Sequence, residues 1–308
     1  MKIVALAGGT GAAKFLRGLS SVARPSDLTI IGNTGDDLEL WGLYISPDLD
    51  TLSYTLSGLV DEERGWGPKD DSFQCRAQMA LLGEETFFAL GDKDLALHLL
   101  RAEQLRKGVP LSQVTDDLRK RMRMESVLLP MSDDRVATRV QTPQGELAFQ
   151  EFFVRECCAP EVIDVAYDGA ARARPAPGVL ESIGAADVVI LCPSNPVSSI
   201  GPILAVPGVR RALVETRARV TAVSPIVGSA AVSGPAGKMM RAKGFEVSAL
   251  GVADAYEDLL DQLVIDARDA RWSGQLRERR IDPVVADSIM ANREGEIALA
   301  RATLEAAL

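Results

Sequence analysis

Several polar clusters have residue types and spacings suited to work on a phosphate ester. Gly8-Gly9-Thr10-Gly11 stands between an apolar run and a helical pattern. A glycine turn there lets backbone N–H groups approach phosphate at a helix N-terminus, although a tight turn without ligand has the same sequence. Asp36-Asp37 and Asp48-Leu49-Asp50 follow shortly after. Carboxylates this close to a phosphate-binding turn suit a hard, oxygen-seeking cation such as Mg²⁺, which would neutralise diphosphate oxygens. The alternatives are turn residues at Asp36 and Asp37, and an N-cap at Asp50 for a helix over 51–59. In the segment from Gly91 to Arg101, with Asp92 as the cap, Asp94, His98 and Arg101 fall on one helix face at i, i+4 and i+7. His98 is the single histidine, which excludes multi-histidine zinc sites. No Gly-x-Ser-x-Gly nucleophile elbow occurs.

These clusters need a scaffold that brings them together. Residues 3–7 are continuously apolar, as in a strand buried on both faces, and residues 12–22 repeat at helical spacing. Residues 28–31 form a second apolar strand, so the opening predicts a βαβ unit and a parallel sheet. Residues 186–192, 220–223 and 245–250 repeat the pattern, the last followed by a helix near 256–260. Their polar ends, Pro193-Ser194-Asn195-Pro196 among them, fall where open sheets bind ligands. Residues 61–123 read mostly helical and 126–153 as an antiparallel hairpin turning at Pro143-Gln144-Gly145. The expected fold class is α/β: a Rossmann-like parallel sheet with helices on both faces. Residues 1–60 and 154–308 would form the nucleotide-binding core, and 61–153 a largely helical insertion.

Known nucleotide fingerprints narrow the turn further. A dinucleotide motif would place Lys14 where a small residue must pack, and a mononucleotide P-loop would need Gly-Lys-Ser/Thr where Ala13-Lys14-Phe15 stands. The net charge of −9 over 308 residues argues against nucleic acid and anionic membrane surfaces. No run approaches the roughly 18 apolar residues of a membrane span. The four cysteines contain no CxxC pair, and a cytoplasmic protein is expected.

Taken in order, the motifs Gly8-Gly9-Thr10-Gly11-Ala12-Ala13-Lys14, Asn33-Thr34-Gly35-Asp36-Asp37, Pro47-Asp48-Leu49-Asp50 and Gly91-Asp92-Lys93-Asp94 resemble the 2-phospho-L-lactate transferase (CofD) family of coenzyme F420 biosynthesis. Cys192-Pro193-Ser194-Asn195-Pro196 and Ser224-Pro225-Ile226-Val227-Gly228 extend the likeness, which covers about residues 1–265. The resemblance implies Mg²⁺-dependent transfer of a phospho-acid from a guanylyl diphosphate donor to the ribityl 5′-hydroxyl of the deazaflavin Fo, releasing GMP. It implies Fo contacts at Asp50 and Lys93, with Asp50 as catalytic residue and Asp48 and Asp50 as metal ligands. Gly9, Thr10, Gly11 and Lys14 would meet the diphosphate; Asn33, Ser194 and Asn195 would meet guanosine. Whether Asp50 acts as base, metal ligand or hydroxyl-orienting group stays open, as does the donor acid. A homodimer is expected from the amphipathic insertion. The competing reading is a nucleotide-sugar-binding regulatory protein on the same core.

Overall fold

A computed structural model describes residues 1–308. Seven strands form its main sheet: β1 (Ile3–Ala7), β2 (Leu28–Gly32), β3 (Val127–Pro130), β4 (Val188–Leu191), β5 (Arg219–Val223), β6 (Gln262–Asp266) and β7 (Asp282–Ala286). Every pairing is parallel, in the spatial order β3-β2-β1-β4-β5-β6-β7. Alternate side chains of β1 serve opposite cores: Ile3, Ala5 and Ala7 join one cluster, Val4 and Leu6 the other. Burial on both faces explains why β1 and β4 are unbroken apolar runs. The strand order reverses between β1 and β4, which opens a crevice at their carboxyl ends.

The longer helices are α1 (Gly9–Leu19), α2 (Pro47–Leu56), α3 (Gln74–Leu81), α4 (Asp92–Arg106), α5 (Leu111–Arg121) and α6 (Arg293–Ala307), of which α1, α2 and α4 border the crevice. Helix α1 packs against both α2 and α6, and all three contribute to the core on one side of the sheet. The segment after Arg268, undistinguished in sequence, is thus structural: α6 carries Glu296, which is buried and accepts from Arg17 of α1.

Three expectations change. Residues 127–130 do not belong to the hairpin; as β3 they add an edge strand to the core, so the helical insertion is interrupted. Pro130 is tolerated there because an edge strand needs no inward N–H at its end. The hairpin itself spans Ala137–Thr142 and Gly145–Ala148, with Asp164–Asp168 as a third strand. Residues 245–248 are not a strand. Ser248 accepts from the Gly251 amide at 3.2 Å and starts the helix Ala249–Ala255.

Candidate active site

A cleft of about 380 Å³ opens at the crevice between β1 and β4. Its floor carries Gly9, Thr10, Gly11, Asp36, Asp48 and Asp50; Ser194 and Asn195 lie on the side of β4. Trp66, Phe88, Phe149 and Phe153 add apolar walls that suit planar rings. Trp66 thus faces the cleft.

The glycine turn enters α1 with Gly9 at φ +76°, a conformation that disfavours side chains. Ala12 and Ala13, where glycine is more usual in such loops, are buried inside the helix and need no such backbone. The Gly9 amide donates to Asp48 Oδ1 at 2.8 Å. Thr10 and Gly11 stand in the first turn, where amides have no partner within the helix. With the helix dipole they are available to a phosphate.

Asp48 and Asp36 meet beneath the turn. Asn33 Nδ2 lies 2.9 Å from Asp48 Oδ2, 3.1 Å from Asp36 Oδ2 and 3.2 Å from the Ser198 carbonyl. Asn33 Oδ1 accepts from the Gly35 amide at 2.8 Å. Asn33 is fully buried with every polar atom engaged, so it organises the floor rather than touching guanosine as expected. Burial pushes the Asp48 carboxyl up from 3.8 to about 6. Burial, then the Asp48 charge, raises Asp36 well above the usual carboxylate range. Two buried carboxyls held together without a cation resist ionising, and Asp36 Oδ1 is buried with no partner. That unpartnered oxygen and the raised values fit a divalent cation added beside them. No cluster of three His, Cys, Asp or Glu ligands is placed to hold a metal unaided. Mg²⁺ would therefore rely on a carboxylate or two plus substrate oxygens and water.

Asp50 has a different environment. The alternative reading of Asp50 as an N-cap does not hold, because α2 begins at Pro47 and Asp50 lies inside its first turn. Arg101 from α4 clamps it: Nη1 donates to Oδ2 at 3.0 Å and Nη2 donates to Oδ1. With both oxygens on a guanidinium, Asp50 is worse placed than Asp48 and Asp36 to be a metal ligand. The Asp50 carboxylate in turn raises the Arg101 pKa against the burial that opposes it. Asp94, His98 and Arg101 do share one buried face of α4, as their spacing predicts. His98 Nδ1 stands 3.7 Å from Asp50 Oδ2 and its Nε2 3.1 Å from Asp94 Oδ2. Tyr54, one turn beyond Asp50 on α2, donates to Asp94 Oδ1 at 2.7 Å. Sequence reasoning missed Tyr54, although its i+4 spacing from Asp50 is the signal that would have found it.

Other expected contacts fall elsewhere. Lys93 is exposed, does not line the cleft, and donates through Nζ to the Lys69 carbonyl at 2.9 Å. It stands beside the loop that carries Trp66, at the rim. Lys14 is half-buried on α1 and also does not line the cleft. Asp92 caps α3 instead of its own helix, accepting from the Gln74 and Cys75 amides, while Asp71 caps α4 through Lys93 and Asp94. This reciprocal pair fixes the helix that holds Arg101. Ser194 Oγ donates to the Gly8 carbonyl at 2.8 Å, and Asn195 Oδ1 accepts from the Val197 amide at 3.0 Å.

The family profile described as 2-phospho-L-lactate transferase CofD matches residues 3–304. The chain belongs to this family. Among its relatives, a phosphoenolpyruvate transferase of Streptomyces griseus is 46% identical, covering 100% of this chain and 98% of that protein. A 2-phospho-L-lactate transferase of Methanococcoides burtonii is 42% identical, covering 95% of each. A crystal structure of a Bacillus halodurans UPF0052-family protein superimposes with a TM-score of 0.71 at 16% identity. It covers 98% of this chain and 99% of that one, a likeness of fold. Like other CofD members, the chain is a transferase. No single helix is long and apolar enough to cross a membrane.

Proposed function

We propose that this transferase moves a phospho-acid, 2-phospholactyl or phosphoenolpyruvyl, from a guanylyl diphosphate donor to the ribityl 5′-hydroxyl of Fo in coenzyme F420 biosynthesis, releasing GMP. One observation carries the reading: a clamped carboxylate, Asp50, and a phosphate-receptive helix start, Thr10-Gly11, open into one cleft. The donor diphosphate would lie over the first turn of α1, with Ser194 and Asn195 toward the nucleoside. Mg²⁺, held by Asp48 and Asp36, would offset the diphosphate charge and the charge developing on departing GMP. Asp50 would accept a hydrogen bond from the ribityl hydroxyl and orient it for in-line attack. A loose transition state asks more of positioning than of proton removal, so Asp50 is an orienting group and need not be a strong base. Lys93 would act from the rim, steadying the loop that carries Trp66.

The relatives named for lactate and for enolpyruvate leave the donor acid to experiment. Incubation with Fo, Mg²⁺ and each guanylyl donor (lactyl, enolpyruvyl, glyceryl) should yield GMP and one new fluorescent product, resolved by chromatography. GMP without that product would mean donor hydrolysis and the wrong acceptor. We also propose a cytoplasmic homodimer joined through α3, which buries none of its residues and leaves Leu81 and Leu82 78% and 76% exposed. Sedimentation should show a dimer that Leu81→Glu with Leu82→Glu converts to monomer; a wild-type monomer would contradict it.

A further inference from the structure

We propose that Tyr54, Asp94, His98 and Arg101 form a directed hydrogen-bond relay that sets the angle of the Asp50 carboxylate toward the acceptor hydroxyl. This rests on the function proposed above and assigns roles to residues that need not touch either substrate.

The direction of the relay follows from donor and acceptor inventories. Arg101 has only donors. Its Nη1 lies 3.0 Å from Asp50 Oδ2 and 3.4 Å from His98 Nδ1, and the relay assigns Nδ1 as the accepting nitrogen. The imidazole proton then sits on Nε2, facing Asp94 Oδ2 at 3.1 Å. Nε2 makes no aligned hydrogen bond in this structure, and the relay assigns Asp94 Oδ2 as its acceptor. Asp94 is held from the other side by the Tyr54 hydroxyl at 2.7 Å. The relay therefore runs from Tyr54 and His98 onto Asp94, and from Arg101 onto His98 and Asp50, with a single histidine tautomer throughout.

Asp94, His98 and Arg101 are 7%, 1% and 2% exposed, so losing a member leaves its buried partners short of a matched hydrogen bond. Arg101 Nε is buried without a partner, which leaves Asp50 and His98 as the groups that orient the guanidinium. If His98 is removed, Arg101 keeps its charge and its pairing with Asp50 but loses the contact that fixes its rotation. The acceptor oxygen would then be misdirected by a fraction of an ångström to an ångström, an error that can reduce rate about 100-fold without abolishing binding.

Steady-state kinetics of wild type, His98→Leu, His98→Asn, Tyr54→Phe and Asp50→Ala test this. His98→Leu should lower kcat about 10- to 100-fold while the donor KM stays at the wild-type value. His98→Asn, whose Oδ1 can accept from Arg101 where Nδ1 did, should recover most of that loss. Tyr54→Phe, at the far end, should lower kcat about fivefold, as for one lost hydrogen bond. A wild-type kcat in His98→Leu, or no recovery in His98→Asn, would overturn the relay. Should His98→Leu not fold, Tyr54→Phe decides: an unchanged kcat overturns the relay. Asp50→Ala separates the two levels. Its retaining wild-type kcat would overturn the proposed function and the relay with it; loss in Asp50→Ala but not in the other variants would overturn the relay alone.

Discussion

Replacing Arg101 by methionine is expected to destabilise the protein strongly, because it strands Asp50. The guanidinium donates two bonds to the carboxylate, and Asp50 and Arg101 are 5% and 2% exposed. Removing one partner of a buried pair leaves an uncompensated charge and costs about 3–5 kcal/mol. With an unfolding entropy of about 2.1 cal/mol/K per residue, a chain of 308 residues has about 0.65 kcal/mol/K. The expected fall in Tm is therefore about 5–8 °C. Asp50→Asn combined with Arg101→Met removes both charges and should recover a large part of the loss, since neutral replacements of a buried pair are often tolerated. Urea denaturation and calorimetry on the wild type, both single variants and the double variant would measure the coupling. A loss below about 1 kcal/mol in Arg101→Met, or a double variant no better than the sum of the singles, would refute the reasoning.

Other consequences are equally open to measurement. In metal-free protein, the raised Asp48 carboxyl is protonated more readily folded than unfolded. Its stabilising contribution is fully present below about pH 3.8 and is lost as pH rises through about 6, about 3 kcal/mol in all. Denaturation of wild type and Asp48→Asn between pH 4 and 7 should show that difference; parallel pH dependences would contradict it. A Cβ on Gly18 would come 2.3 Å from the Glu296 carbonyl oxygen of α6, so Gly18→Ala should cost about 1–3 kcal/mol by pushing the two helices apart. A Tm equal to wild type would show that α6 is not seated as described. Lys93→Ala should raise the KM for Fo several-fold while sparing kcat, in contrast to Asp50→Ala. A collapse of kcat in Lys93→Ala would place the ammonium at the reacting atoms.

Much of the scaffold was legible because its signals are local. Residues 3–7, 28–31 and 188–191 are short, nearly continuous apolar runs, and all three are strands of the core sheet. The i, i+4, i+7 spacing of Asp94, His98 and Arg101 announced a polar helix face. What escaped depends on contacts distant in sequence. Residues 127–130 join the core sheet by pairing with β2, and nothing within the segment distinguishes that from a hairpin strand. Phe245 and Val247 are apolar because they pack onto the core from a turn, and the Ser248 cap three residues before Gly251 was the overlooked cue. Asn33 looked like a ligand contact because it stands at a strand end; its engagement by Asp36 and Asp48 follows from three segments meeting. Lys14 and Lys93 matched motifs by type and position, but the directions of their side chains are set by helix rotation.

In the proposed reaction acceptor and donor meet in the cleft between β1 and β4, with Asp50 facing the attacking hydroxyl. A crystal structure of the protein with Fo, GDP and Mg²⁺ tests it most directly. The diphosphate should lie against the Thr10 and Gly11 amides, with the ribityl 5′-oxygen within hydrogen-bond reach of Asp50. Fo bound away from Asp50, or GDP bound away from the start of α1, would contradict it.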